Sequence, residues 1–121
     1  MYRVKVLSKY SSAHNLRNYN GKCEHLHGHN WKVEAYMKAK ELDHQDMVVD
    51  FKVFKKVLND ILDEMDHVYI NEDVEYFKTV NPTSENMAKY IFDRLEAHFG
   101  EKVDRVVVWE TDIQCAEYSK D

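Results

Sequence analysis

Residues that form turns are scarce in this 121-residue chain, which contains three glycines and one proline. Cysteine is scarce too, and two cysteines exclude a small fold held together by several disulfides. Long apolar runs are absent, since no stretch approaches the roughly 18 apolar residues that a membrane-spanning helix needs. With 44% hydrophobic residues, the chain can bury one core, and we expect a single domain over residues 1–121.

The chain has fewer positively than negatively charged residues. It contains 17 Lys and Arg residues and 22 Asp and Glu residues, which give a net charge of −5. A protein that binds the phosphate backbone needs a basic excess, so we expect no nucleic-acid partner. The lack of a long apolar run leads us to expect no membrane partner. A small anionic substrate, held by a few local cations, is compatible with this charge. The first nine residues alternate like a strand rather than a signal peptide, so we expect a cytoplasmic protein.

Hydrophobic periodicity predicts four strands, over residues 2–8, 30–39, 103–111 and 113–118. Helical spacing predicts one helix that is capped by Asp50 and ends near His67, and another that begins at Thr83 or Ser84 and stops at Gly100. The order ββααββ indicates an α+β fold with a four-stranded antiparallel sheet and two helices on one face. Residues 11–29, rich in Asn, Gly and His, are predicted to form a long functional loop.

Histidine is concentrated in that predicted loop, where four of the seven lie between positions 14 and 29. In an extended backbone His27 and His29 point to the same face and can bind one metal ion. A third histidine would complete a three-histidine site with an open fourth position, which is typical of catalytic zinc. Spacing leaves both His14 and His25 as candidates, although His14 can approach from the neighbouring strand.

Other residues offer further chemistry, each with an alternative interpretation. Cys23 is either a fourth metal ligand or a thiolate that acts as base or nucleophile. Asp66 beside His67 is suited to proton transfer, but a polar helix end explains the pair as well. Glu110 follows an apolar strand and either accepts two hydrogen bonds from the edge of a guanine or pterin or is simply solvated.

Taken together, these residues resemble a known family. Cys23-Glu-His-Leu-His27-Gly-His29, preceded by Ala13-His14, resembles the metal and cysteine segment of the 6-pyruvoyl-tetrahydropterin synthase family. Further resemblances are Met65-Asp66-His67 to its Asp–His dyad, Pro82-Thr83-Ser84-Glu85-Asn86 to the start of its second helix, and Trp109-Glu110-Thr111 to its pterin anchor. The matches run in order from about residue 13 to residue 111, which is almost the whole chain.

The resemblance implies a role for each matching position. The implied zinc ligands are His14, His27 and His29, the implied catalytic residues are Cys23, Asp66 and His67, and the implied substrate-binding residues are Glu110, Thr83 and Ser84. The family's tunnelling fold (T-fold) is also implied. In that fold subunits join their sheets edge to edge into a barrel, commonly a homohexamer of two stacked trimers.

Within the family, the three residues between Cys23 and His27 resemble the 6-carboxytetrahydropterin synthase branch of the queuosine pathway. The implied enzyme is a carbon–carbon lyase that depends on Zn²⁺. It converts 7,8-dihydroneopterin triphosphate to 6-carboxytetrahydropterin, acetaldehyde and triphosphate. The alternatives are a 6-pyruvoyl-tetrahydropterin synthase, which keeps the side-chain carbons, and a non-enzymatic assembly protein stabilised by zinc.

Two expectations concern the binding of so large a substrate. Arg17 and Lys22 are the candidates for cations that hold the triphosphate. A chain of this size has little depth to enclose a pterin triphosphate, so we expect a pocket between subunits of a homo-oligomer. In such a pocket, Glu110 and the zinc site would come from different chains.

Overall fold

The computed structural model describes residues 1–121 and contains one four-stranded antiparallel sheet. In chain order the elements are β1 (Tyr2–His14), β2 (His27–Ala39), α1 (Phe51–Asp63), α2 (Ile70–Asp73), α3 (Ser84–Phe99), β3 (Val103–Thr111) and β4 (Gln114–Tyr118). The strands lie in the sheet in sequence order, β1-β2-β3-β4. The predicted α+β class and antiparallel sheet are confirmed. No helix is long and apolar enough to cross a membrane.

The first two strands extend further than the sequence predicted. β1 continues to His14 and β2 begins at His27, and these two residues face each other in the last pair of the hairpin. The predicted loop over residues 11–29 was therefore wrong at both ends, and residues 15–26 form the connection. The error arose because the core-facing positions there hold Ser12 and the histidines, so the apolar alternation stops before the strands do.

The core lies between the sheet and the helices on one of its faces. Alternate residues of β2 point into it, and Trp31, Val33, Ala35 and Met37 are fully buried. α1 packs on β1, α3 packs on β3 and β4, and the two helices contact each other. The position of His14, His27 and His29 follows from this arrangement, because these histidines continue the same face of β1 and β2 beyond the last core residues.

Local signals fix the ends of the two long helices. The Asp50 carboxylate accepts a hydrogen bond from the backbone N–H of Lys52, and the Thr83 hydroxyl accepts one from Asn86. Thr83 is therefore the cap of α3 rather than Ser84, which is its first residue. Gly100 ends α3 with φ of +67°, a conformation that glycine adopts without strain.

The other face of the sheet carries no helix, and it presents charged residues such as Lys5 and Arg105. β1 and β4 are the two edges, and the chain does not close its own sheet. Unpaired backbone groups along an edge strand favour pairing with another strand. Part of the β1 edge is already covered, because Ala13 donates a backbone hydrogen bond to Val68.

Candidate functional site

Three histidines meet where β1 and β2 end. His14 lies opposite His27, and His29 is two residue pairs further along the hairpin, opposite Ser12. Because side chains alternate along a strand, all three histidines project from the core-facing side of the sheet, next to Trp31. One ring nitrogen of each lies within 4.8 Å of those of the other two. The three histidines are thus positioned to bind a metal ion.

Hydrogen bonds to the backbone define the protonation of two of these rings. His14 donates from Nδ1 to the carbonyl of Pro82 at 2.8 Å, and His27 donates from Nδ1 to the carbonyl of His25 at 2.7 Å. A carbonyl oxygen only accepts, so each ring in its neutral form carries the proton on Nδ1 and a lone pair on Nε2. The two Nε2 atoms lie 3.1 Å apart, and a shared cation would remove the repulsion between their lone pairs.

His29 supplies an independent observation in favour of a metal. Its Nε2 atom is buried and has no hydrogen-bond partner. Buried polar atoms are nearly always partnered, and an orphaned imidazole nitrogen beside two others fits a metal ligand. The donor set of three imidazoles suits Zn²⁺ and similar transition-metal ions.

Burial keeps these ligands in the form that binds metals. Desolvation lowers the pKa of His14, since the charged imidazolium loses water, and the hydrogen bond to the Pro82 carbonyl only partly opposes this shift. Desolvation also lowers the pKa of His29, although Glu110 partly opposes the shift. Both rings are therefore neutral at pH 7, and a neutral imidazole is the metal-binding form.

Cys23 lies in a single 3₁₀ turn, Lys22–Glu24, within the connection between β1 and β2. Its carbonyl accepts a hydrogen bond from the backbone of Leu16 at 2.7 Å, which ties this turn to the chain that leaves β1. The side chain is partly buried. The thiol is not one of the grouped ligand atoms, which are three histidine nitrogens. Cys23 therefore lies outside this group of histidine nitrogens.

Asp66 and His67 form a pair along the edge of β1. Nδ1 of His67 is 2.8 Å from Oδ2 of Asp66, while Oδ1 of Asp66 accepts the backbone N–H of Ser11 at 2.8 Å. The backbone N–H of His67 donates to the carbonyl of Ser11. The Ser11 hydrogen bond, followed by that from His67, lowers the pKa of Asp66 below its usual value. The carboxylate is thus ionised and orients an imidazole that is 82% exposed.

One member of the dyad, His67, and one member of the histidine cluster, His29, line a single open cleft of about 780 Å³. Asn30, Tyr69 and Asp73 also line this cleft. His67 adopts a φ of +56°, which is uncommon for a residue with a Cβ atom and occurs often at functional sites. The exposed imidazole of His67 and the ring of His29 are therefore accessible from the same cleft.

Glu110 lies at a bulge in β3, where the register with β4 shifts between Trp109 and Thr111. Its Oε2 accepts a hydrogen bond from the Ser84 hydroxyl at 3.3 Å, and its Oε1 accepts one from the Gln114 amide at 3.2 Å. Thr83, Ser84, Glu110 and Gln114 line a cavity of about 280 Å³. Gln114 was missed in the sequence, because its place follows only from the tight turn between β3 and β4.

The cavity and the metal site belong to the same chain. Oε1 of Glu110 is 3.8 Å from Nε2 of His29. The expectation that Glu110 and the zinc site come from different chains was therefore wrong. Alternation along β3 explains the proximity, since Glu110 follows the buried Val106 and Val108 on the core-facing side of the sheet, where the histidines of β2 also lie.

Arg17 does not have the free guanidinium that a phosphate ligand would need. Its side chain donates to the backbone carbonyls of Val80, Phe77 and Asn71, at 3.0, 2.7 and 3.3 Å. These contacts contradict the expectation that Arg17 holds the triphosphate. Lys22 is exposed and forms no ion pair, so its side chain is available to an anion.

Comparison with known proteins agrees with this geometry. A sequence model described as 6-pyruvoyl tetrahydropterin synthase matches residues 3–121. A 6-carboxy-5,6,7,8-tetrahydropterin synthase from Synechocystis sp. is 33% identical over 90% of this chain and 86% of its own length. One from Haemophilus influenzae is 28% identical over 99% of this chain and 100% of its own length.

Solved structures give the same result for the fold. The structure of the Caenorhabditis elegans 6-pyruvoyl tetrahydropterin synthase superimposes with a TM-score of 0.90 at 28% identity, covering 99% of this chain and 96% of that one. The match to the family model spans nearly the whole sequence and includes every histidine of the cluster as well as Glu110. The chain belongs to the 6-pyruvoyl tetrahydropterin synthase family.

Proposed function

We propose that this protein is a 6-carboxytetrahydropterin synthase, a carbon–carbon lyase of the queuosine pathway. It converts 7,8-dihydroneopterin triphosphate and one water to 6-carboxytetrahydropterin, acetaldehyde and triphosphate. The observation that carries the proposal is the approach of Glu110 to the histidine cluster, at 3.8 Å from His29. The short spacing from Cys23 to His27, and the relatives that bear this enzyme's name, support the branch.

The metal that we propose is Zn²⁺, with His14, His27 and His29 as ligands. Their ring nitrogens lie together, and the hydrogen bonds of His14 and His27 direct a lone pair of each toward the other. When bound, the ion supplies Lewis acidity toward the oxygens of the substrate side chain. The three imidazoles add no negative charge, so the ion keeps its full charge for this purpose.

Proton transfers in this proposal are divided between the protein's own side chains. Cys23 as thiolate removes or relays a proton on one side of the substrate's side chain. On the other side His67 does so, and Asp66 orients its ring and stabilises its cation through the 2.8 Å contact. The exposure of His67 in the cleft gives it direct access to a substrate.

Recognition of the pterin is assigned to the cavity around Glu110. A carboxylate matches the two N–H donors on the edge of the pterin ring, and Thr83 and Ser84 line the same space. Ser84 and Gln114 hold the carboxylate in place before the substrate arrives. Lys22 is the candidate that remains for binding the triphosphate.

Replacement of Glu110 by alanine should raise the Michaelis constant for the pterin by about ten- to hundredfold, since a hydrogen bond to a charged group contributes about 1.5–3 kcal/mol. Glu117→Ala is the matched control, because that carboxylate pairs with Arg105 on β3 and is half exposed. Steady-state kinetics of the two variants test this assignment. An unchanged Michaelis constant for Glu110→Ala would remove Glu110 from the pterin site.

The decisive experiment is incubation of the protein with 7,8-dihydroneopterin triphosphate, followed by mass analysis of the products. Release of acetaldehyde with 6-carboxytetrahydropterin supports the proposal. A product that keeps all the side-chain carbons indicates instead a 6-pyruvoyl-tetrahydropterin synthase, the activity named for the C. elegans structure. Absence of any pterin product contradicts both synthase assignments and favours a structural role for the metal.

The proposal also includes the location and the oligomeric state of the enzyme. The chain acts as a single domain in the cytoplasm, and copies of it join through the free edges of β1 and β4 into a barrel. We propose a homohexamer of two stacked trimers. The open sheet and its two unpaired edges support this assembly. Light scattering of the purified protein tests it, and a stable monomer would contradict it.

A further inference from the structure

Two amide side chains hold the chain that follows the metal ligand His14. Oδ1 of Asn71 accepts the backbone N–H of Asn15 at 3.0 Å, and its Nδ2 donates to the Asn15 carbonyl at 2.9 Å. Asn81 repeats this pattern on Arg17, at 2.9 and 3.1 Å. Each amide therefore pairs with the backbone as a neighbouring strand would, although β1 has already ended.

The side chain of Arg17 extends the same set of contacts. Its guanidinium binds three backbone carbonyls between Asn71 and Val80, and no carboxylate pairs with it. A guanidinium offers five N–H donors and no acceptor, so it can satisfy several carbonyls at once. Arg17, Asn71 and Asn81, here called the amide clamp, join residues 15–17 to α2 and to the segment between α2 and α3.

That segment carries two parts of the functional site. The residue after Asn81 is Pro82, whose carbonyl accepts the Nδ1 proton of His14 at 2.8 Å. The carbonyl of Asn81 itself accepts hydrogen bonds from Thr83 and Asn86 at the start of α3. The amide clamp thus holds both His14 and the acceptor that orients its ring.

We propose that Arg17, Asn71 and Asn81 are positioning residues, which fix the ring of His14 through the Pro82 carbonyl and thereby set the metal affinity of the cluster. The inference rests on the metal site of the proposed function and is independent of its product. Loss of the hydrogen-bond partner of a ligating histidine typically weakens metal binding by about 10–100-fold. The amide clamp acts on the segment that carries the Pro82 carbonyl and not on the ring of His14 directly. We therefore expect its loss to weaken metal binding by about tenfold, the lower end of that range.

The experiment is a metal titration of the full-length protein and its variants, with Co²⁺ followed by visible absorption and Zn²⁺ followed by competition with a chelator. Arg17→Met keeps the length of the side chain and removes every donor. Asn81→Leu keeps the approximate shape of the amide and removes its pairing with Arg17. Arg94→Met is the matched control, because it removes the two hydrogen bonds of Arg94 to Glu64, which link α3 to the end of α1.

We expect Arg17→Met and Asn81→Leu to weaken binding of both metals by about tenfold and to change the Co²⁺ spectrum. Arg94→Met should lower the melting temperature and leave affinity and spectrum as in the wild type. Unchanged affinity and spectrum in Arg17→Met or Asn81→Leu would overturn the inference. So would an equal loss of affinity in Arg94→Met, since the loss would then follow stability alone.

Should Arg17→Met not fold, Arg17→Lys takes its place, because an ammonium group satisfies fewer of the three carbonyls and cannot reproduce the planar fork. We expect it to weaken metal binding by a smaller factor, and wild-type affinity in both Arg17→Lys and Asn81→Leu would overturn the inference. A wrong product assignment gives a different result, namely an unexpected pterin product with the metal affinities of all variants as expected here.

Discussion

Replacement of Cys23 by alanine should abolish most of the turnover and leave the metal in place. Cys23 lies outside the group of ligand atoms, which consists of nitrogens from three histidines. Removing a residue that transfers protons in the transition state lowers the rate by about 10²–10⁴-fold. The fall should therefore appear in kcat, with the metal content per chain unchanged.

Two measurements on the same preparation check this result, the metal content by elemental analysis and kcat with 7,8-dihydroneopterin triphosphate. Glu24→Ala is the matched control, because it changes the same 3₁₀ turn at an exposed residue that is not among the grouped ligand atoms. We expect it to retain kcat within a few-fold. If Cys23→Ala loses the metal as well as the turnover, the thiol is a ligand and its proposed catalytic role is wrong.

The second large effect is expected at His27. Binding of zinc to sites with four ligands yields about 10–16 kcal/mol, so each ligand contributes on average about 2.5–4 kcal/mol. His27→Ala should therefore weaken metal binding by about two to three orders of magnitude. Activity should fall with the metal and recover in part when metal is added in excess.

His25→Ala provides a closely matched comparison. His25 contributes its backbone carbonyl, which accepts the Nδ1 proton of His27, and alanine retains that carbonyl. We expect metal content near that of the wild type, although the two histidines are only two residues apart. Metal depletion in His25→Ala, as measured by elemental analysis, would mean that its ring is a ligand and that the assigned set of three is incorrect.

Much of the fold follows from local patterns in the sequence. The alternation of Trp31, Val33, Ala35 and Met37 predicts both the strand and its buried face, and these residues are fully buried. Caps such as Asp50 act through hydrogen bonds to residues two or three positions away, so the start of a helix can be predicted from a single sequence. The spacing of His27 and His29 places both side chains on one face for the same reason.

The parts of the site that were not predicted depend on contacts between distant residues. Arg17 is a plausible phosphate ligand by its charge, yet its donors are taken by carbonyls about sixty residues away. The amides of Asn71 and Asn81 each pair with the backbone of a single residue. Such isolated contacts leave no periodic pattern in the sequence. The bulge at Glu110 arises from the register of β3 with β4, which a single strand does not encode.

β1 and β2 keep one register over their whole length, from Tyr2 opposite Ala39 to His14 opposite His27. A slip of one residue would turn the two histidines of β2 away from His14 and would expose Trp31 to water in the same step. Burial of the core thus enforces the geometry of the metal site. Insertion of one residue within either strand should abolish folding and metal binding together, whereas a change of length at residues 18–21 leaves the register intact.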